Sequence, residues 1–385
     1  MQVTGEWIAE PATQKVCAML ADAGYQAYFV GGCVRNALIG AEVSDIDICT
    51  DAHPERVMEL AAAAGLRPVP TGIDHGTITV VSGGIPHEVT TFRRDVETDG
   101  RRAVVAFSDN ILEDALRRDF TMNALYARAD GSVVDPLGKG LTDLRQRHVR
   151  FIENPEQRIK EDYLRILRFF RFYAWYGDVE DGLDREGLAA VAENTEGLAA
   201  LSVERVGHEM RKLLAAPDPA PAVAAMQATG VLTRILPGAD SRGLAVLVHL
   251  EERFGLSADP IRRLACIGDE QAAEHLRLSN AHTRKLGQLR EGRESTLTLL
   301  EIAYRYGTAM AVDVALLRAV AFETPLFDLD HAALDHASDA RFPLSGPDLM
   351  PGLTGPALGQ ALKRLEKTWI ESGFALGRDE LLARL

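Results

Sequence analysis

At 385 residues the chain is longer than one hydrophobic core usually serves, so two or more domains are expected. Hydrophobic residues make up 46% and charged residues 25%, which excludes a disordered or fibrous chain. The net charge of −14, from 42 basic and 56 acidic residues, excludes indiscriminate binding to polyanions, so any nucleic-acid site has to be a local basic patch.

The opening residues MQVTGEWIAE lack a basic stretch followed by an apolar one, and apolar runs of about 18 residues do not occur. Cys17, Cys33, Cys49 and Cys266 form no CxxC pair, so neither a zinc site nor a disulfide framework is expected, and a reducing, cytoplasmic setting fits. A short helix is predicted over 11–23, with Pro11 in its first turn and Gly24 beyond its last. The runs at 27–32, 45–50, 76–81 and 87–93 are rich in β-branched and aromatic residues and read as strands of one mixed sheet. Between them, 33–40 and 54–65 carry apolar residues at helical spacing and end on glycine. From about residue 110 strand signals fade, and helical patterns such as PEQRIKEDYLRILRFFRFYAWYG and SVERVGHEMRKLLAA follow one another. The fold class is therefore α+β and multidomain: an N-terminal head with a mixed β-sheet and helices, then an all-α remainder.

Two carboxylates separated by one residue on a strand share a face, so Asp45 and Asp47 in SDIDICT could hold divalent cations, or could simply line a solvated strand face. The preceding FVGGCVRNAL reads as strand, turn and helix, with Gly31 and Gly32 allowing close backbone approach to a phosphate. Arg35 in the first turn opposes the helix dipole and so suits an anionic ligand better than it suits the helix. Glu88 could add a third carboxylate or be an edge-strand acid. Arg118 could clamp a triphosphate with Asp119 orienting it, or belong to a helix-surface ion pair. Residues 277–293 form a basic stretch, and Arg277, Arg284 and Lys285 are its RNA-binding candidates, a solvated helix face being the alternative.

Together these strings resemble the class II CCA-adding tRNA nucleotidyltransferases and bacterial poly(A) polymerases, members of the polymerase β-type nucleotidyltransferase superfamily. FVGGCVRNALIG with SDIDICT is similar to the family's metal and phosphate motif, and LRRDFTMNALY to its second motif. DPLGKGLTDL is similar to the segment joining head and neck, EDYLRILRFFRF to the nucleotide-selecting motif, and SVERVGHEMRKLL to the supporting neck helix. LRLSNAHTRKL and LSGPDLMPGLTGPALGQALKRLEKTWI resemble body and tail. One departure is Asn36, where the family commonly has Asp after the motif arginine.

The resemblance implies a head over 1–142, a helical neck over 143–230 that selects the base, and a tRNA-binding helical body and tail over 231–385. It implies template-independent addition of CMP and AMP from CTP and ATP to the tRNA 3′ end, with Mg²⁺, two ions expected, on Asp45 and Asp47 helped by Glu88. Gly32, Arg35 and Arg118 are expected to hold phosphates. On a continuous helix Asp162, Arg165 and Arg168 lie near one face. The resemblance implies that Asp162 and Arg165 read the base, with Arg168 and Arg171 assisting. Cytosine and adenine both offer an exocyclic amine beside a ring-nitrogen acceptor, which a carboxylate next to a guanidinium matches. The expected partner is tRNA, through its acceptor and TΨC arms, and no membrane. A poly(A) polymerase of the same family, an enzyme adding only CC or only A, and a silent tRNA-binding protein are the alternatives.

Overall fold

The computed structural model describes residues 1–385 except 100, 101, 269 and 351. The chain forms two compact units, Met1–Ile235 and Leu236–Leu385.

The first unit is built on nine strands: β1 (Tyr28–Val30), β2 (Asp47–Thr50), β3 (Arg67–Gly72), β4 (Thr77–Ser82), β5 (Ile85–Thr91), β6 (Arg93–Asp99), β7 (Arg102–Phe107), β8 (Tyr126–Ala127) and β9 (Val133–Val134). Seven of them make one sheet in the order β3-β4-β5-β2-β1-β8-β9, and β6 pairs with β7 as a separate ribbon. The sheet is mixed, as expected: β2 runs parallel to β5, and its other neighbours pair antiparallel. Side chains alternate between its faces. Ile48, Ile78, Val80 and Val89 are fully buried, and Val30, Cys49, Phe92, Ala115 and Tyr126 form a further core cluster.

Three differences from the sequence reading matter. β2 begins at Asp47, so Asp45 lies in the preceding coil rather than on the strand. Beyond the four runs read as strands, β6 and β7 pair antiparallel with each other. The pattern read as one helix over 155–177 is two helices, Pro155–Glu161 and Leu164–Tyr176, broken where Asp162 takes an extended backbone with φ −153° and ψ 105°.

The Leu164–Tyr176 helix packs inward through Leu164, Ile166, Leu167, Phe169, Phe170, Phe172 and Tyr173. Its rings meet those of Phe120 and Phe151, and Phe120–Phe172 and Phe151–Phe169 centroids lie 5.1 and 5.2 Å apart. The aromatic group is thus core, except Trp175, which is 43% exposed.

The second unit is helical. Inside it Glu251 accepts hydrogen bonds from Arg262 and Arg263, and Arg262 also donates to Asp313, all four being buried. No helix among the described residues is long and apolar enough to cross a membrane.

Candidate active site

The site begins where β1 ends. Gly31 sits at φ 71° and ψ −118°, a conformation that favours glycine, and its N–H donates to the Leu125 carbonyl at 3.1 Å. The helix Gly32–Leu38 follows directly. β2 leads back beside the turn, and the parallel β2–β5 register sets Asp47 opposite Glu88. Asp45 is exposed, with Ser44 Oγ donating to it at 3.1 Å, and Glu88 is exposed while its neighbours His87 and Val89 are buried.

Burial, followed by the negative charges of Glu88 and Asp45, pushes the half-buried Asp47 carboxyl up to about 6, against the pull of Arg118. Asp47 therefore carries the repulsion of two further acids, which a divalent cation would relieve. Among the described residues no three His, Cys, Asp or Glu side chains close around one point. An open carboxylate pair of this kind fits Mg²⁺, which keeps water and substrate oxygens among its ligands.

Arg118 stands across the turn from these acids. Its Nε and Nη2 donate to Asp114, which is 1% exposed, and Nε also donates to Tyr126 Oη at 3.1 Å. Tyr126 Oη itself donates to Asp114 at 2.8 Å. The helix-surface ion pair weighed from sequence is in fact a buried one. Arg158 steadies it from the neck side by donating to the Arg118 and Leu116 carbonyls. Nη1 of Arg118 makes no hydrogen bond among the described residues, and a Cβ placed on Gly31 would lie 3.4 Å from it. That donor faces the glycine turn.

Arg35 follows on the Gly32–Leu38 helix. It is buried, and its guanidinium is used up within the protein: Nη1 donates to Asn123 at 2.5 Å, Nη2 to Tyr176 Oη at 2.8 Å, and Nε and Nη2 to Asn36 Oδ1 at 3.2 and 2.9 Å. It also lies over the Tyr176 ring, 4.2 Å from the centroid. Its Nη2 stays beside the glycine turn, 3.9 Å from where a Cβ on Gly32 would lie. Asn36 takes the acceptor role of the family's Asp, and its Nδ2 donates to the Glu42 carbonyl at 2.8 Å.

The base-reading residues also differ from the single-helix picture. Asp162 lies in the break, its Oδ1 accepting from Leu164 N–H at 3.0 Å and its Oδ2 from Arg205 at 2.6 Å. Arg165 pairs with Glu161 at 2.5 Å and donates to the Arg158 and Arg117 carbonyls, so it is not ion-paired with Asp162. Arg168 grips Asp119 at 2.5 Å, and Arg171 grips Glu209 at 2.5 Å. Asp119 thus holds the neck rather than orienting Arg118. Burial alone would raise its carboxyl, but Arg168 and the Asn123 amide outweigh that and bring it to about 2.

Sequence reasoning missed Asp114, Glu161, Arg205, Glu209, Asn123 and Tyr176. Glu161–Arg165 and Asp114–Arg118, each at i and i+4, carried a local signal. In the basic stretch, Arg277 and Arg284 are exposed. Lys285 is bound to Asp259 and stands 3.7 Å from Asp313.

A glycine turn at the end of an interior strand of a mixed sheet, an acidic pair and a guanidinium facing the turn define a nucleotidyltransferase. Residues 27–150 match the model of the poly A polymerase head domain, and residues 182–242 that of the probable RNA and SrmB-binding site of polymerase A. Over 95% of its length the chain is 34% identical to CCA tRNA nucleotidyltransferase 1, mitochondrial, of Mus musculus, covering 87% of that protein. It is also 34% identical to a CCA-adding enzyme of Streptococcus pyogenes, with 92% of this chain and 91% of the relative covered. The crystal structure of the Bacillus stearothermophilus CCA-adding enzyme in complex with CTP aligns with TM-score 0.69 and 27% identity, covering 94% of this chain and 92% of that one. The Thermotoga maritima CCA-adding enzyme complexed with tRNA shares the fold, with TM-score 0.66, 18% identity and coverage of 100% and 98%. The chain belongs to the CCA-adding tRNA nucleotidyltransferase family.

Proposed function

We propose that this chain adds CMP and AMP, taken from CTP and ATP, to the 3′ end of tRNA without a nucleic-acid template. The observation that carries the reading is the juxtaposition of Asp47 with Glu88 and Asp45 and, at the Gly31 turn, the Nη1 of Arg118, which makes no hydrogen bond among the described residues.

In this reading Asp45 and Asp47, helped by Glu88, hold Mg²⁺, which when bound readies the tRNA 3′ hydroxyl for attack and neutralises the triphosphate. Gly31 and Gly32 let the backbone approach the phosphates, and Arg118 supplies a donor already oriented by Asp114 and Tyr126. The 3′ oxygen bonds to the α-phosphorus as the bond to pyrophosphate breaks. Asp162 offers an acceptor to the exocyclic amine of cytosine or adenine, and Arg165 a donor to the adjoining ring nitrogen. For both, the present partners, Arg205 and Glu161, are ones that a bound base would rearrange. Arg168 and Arg171 support this segment through Asp119 and Glu209.

The division of labour follows the same proposal: a head over 1–142, a base-selecting neck over 143–230, and a body and tail over 231–385 that measure the acceptor and TΨC arms through backbone contacts, Arg277 and Arg284 being the exposed candidates. A cytoplasmic setting is part of it and rests on four unpaired cysteines.

The test is incorporation of CTP and ATP into tRNA lacking its CCA end, with products sequenced. CCA completion is expected, and an Asp45→Ala, Asp47→Ala double variant should lose it. Long A tracts on generic RNA with CTP refused would make the chain a poly(A) polymerase instead, and products stopping at CC or gaining only A would make it a partial enzyme.

A further inference from the structure

The acids that would hold the metal lie in the head, and the residues that would read the base lie on the neck segment, yet both must act on one nucleotide. A continuous polar chain joins them. At the head end Asn36 Nδ2 donates to the Glu42 carbonyl at 2.8 Å, in the coil that leads to Asp45. Asn36 Oδ1 accepts from Arg35, whose Nη2 donates to Tyr176 Oη at 2.8 Å and whose Nη1 donates to Asn123. Asn123 Nδ2 donates to Asp119 Oδ1 at 2.9 Å, and Asp119 Oδ2 accepts from Arg168 Nε at 2.7 Å.

Arg168, Phe172 and Tyr176 follow one another at i, i+4 and i+8, so they form one stripe on the Leu164–Tyr176 helix. Phe172 is buried with the guanidinium carbons of Arg35, Arg168 and Arg171 at 5.2, 5.1 and 4.6 Å from its ring centroid. The stripe therefore grips the head at both ends, through Tyr176 to Arg35 and through Arg168 to Asp119. Hydrogen bonds to a charged group in such a buried setting are directional and stronger than neutral ones.

Asn36 does something here that Asp could not. Its oxygen accepts from Arg35 while its amide donates to the Glu42 carbonyl, and a carboxylate has no proton to donate. The acid-bearing coil is thus linked to Arg35, and Arg35 to the neck.

We propose that Asn36 and Tyr176 are positioning residues: with Arg35 between them they fix the register of the acidic pair against the base-reading segment, so that a correctly read base brings the α-phosphate to the acids. Neither residue touches the nucleotide in this scheme, which rests on the functional reading above.

The test is a double-mutant cycle of Tyr176→Phe and Asn36→Ala in the full chain, measured by single-nucleotide incorporation into tRNA lacking CCA. Each variant should lower kcat for CTP about tenfold, as expected for losing its charge-assisted contact with Arg35. KM for CTP should change less than about twofold, and the preference for CTP over UTP should fall. The double variant should be little worse than either single one, because a chain broken once is already broken. A multiplicative loss of about a hundredfold, or an unchanged CTP preference, would overturn the proposal. Should Tyr176→Phe fail to fold, Asn36→Ala remains, and its loss of CTP preference decides. Absence of CTP and ATP incorporation by the unaltered chain would instead defeat the functional reading.

Discussion

At the scale of single residues, the site is organised by buried charges whose partners lie far away in sequence. Asp119 is the sharpest case, a buried carboxyl held at about 2 by Arg168 and Asn123 against the cost of burial. A folded-state value below the unfolded one, about 3.9, gives stability that is present above the unfolded value and lost as pH falls through about 2. Asp119→Asn should therefore cost about 2 kcal/mol at neutral pH and flatten the acid limb of the stability curve between about pH 4 and pH 2. Urea midpoints across that range would check it, and an unchanged acid limb would show that another group dominates. The strand that carries Asp47 and the turn at Gly31 were legible because strand alternation and glycine geometry are local properties, whereas Asp45, read onto that strand, lies in the coil before it. The end point of Arg35 was not legible, since Tyr176 is 141 residues away and the stem can carry its charge in several directions.

At the scale of elements, the turn between β1 and the Gly32–Leu38 helix is the most constrained piece. Gly31→Ala would force a side chain into positive φ and bring Cβ to 3.4 Å from Arg118 Nη1. The expected result is a loss of about 1–2 kcal/mol in stability. A fall of at least about tenfold in CMP incorporation, equivalent to about 1.4 kcal/mol, should accompany it, as the strained turn shifts the backbone that approaches the phosphates. Normal incorporation by a folded variant would remove the turn from the phosphate site.

The helix break at Asp162 was hidden because apolar residues keep helical spacing on both sides of it. It arises from a side chain competing with the backbone, the Asp162 carboxylate taking the Leu164 N–H. The β6–β7 ribbon was hidden for another reason: it pairs with itself rather than with the sheet, and strands of two residues such as β8 and β9 are too short to show a period. Asp162→Asn keeps the acceptor for Leu164 but adds an amide donor where the base amine would lie. Discrimination against UTP and GTP should fall about tenfold while thermal stability changes little. Incorporation assays with each of the four nucleotides separately would measure it, and undiminished discrimination would move base reading away from Asp162.

At the scale of the whole molecule, every residue assigned to nucleotide binding lies in Met1–Ile235, whereas Arg277 and Arg284 lie in Leu236–Leu385. Beside its apolar core the second unit buries an ionic network. Glu251 receives Arg262 and Arg263 at 2.8 Å each, and Arg262 reaches Asp313 at 2.7 Å. Removing one member of a buried ionic network costs about 3–5 kcal/mol, because the remaining charge stays desolvated. Glu251→Ala takes away the acceptor shared by two buried guanidiniums, so the second unit should melt several degrees earlier. If the functional division is right, the variant at a temperature between the two transitions should still bind CTP with Mg²⁺ but fail to extend tRNA. Calorimetry would resolve the melting steps, and titration of CTP would report the first unit alone. Loss of CTP binding together with tRNA extension would mean that the two units do not fold and work as separable bodies, and the assignment of tRNA binding to the second would then lose its support.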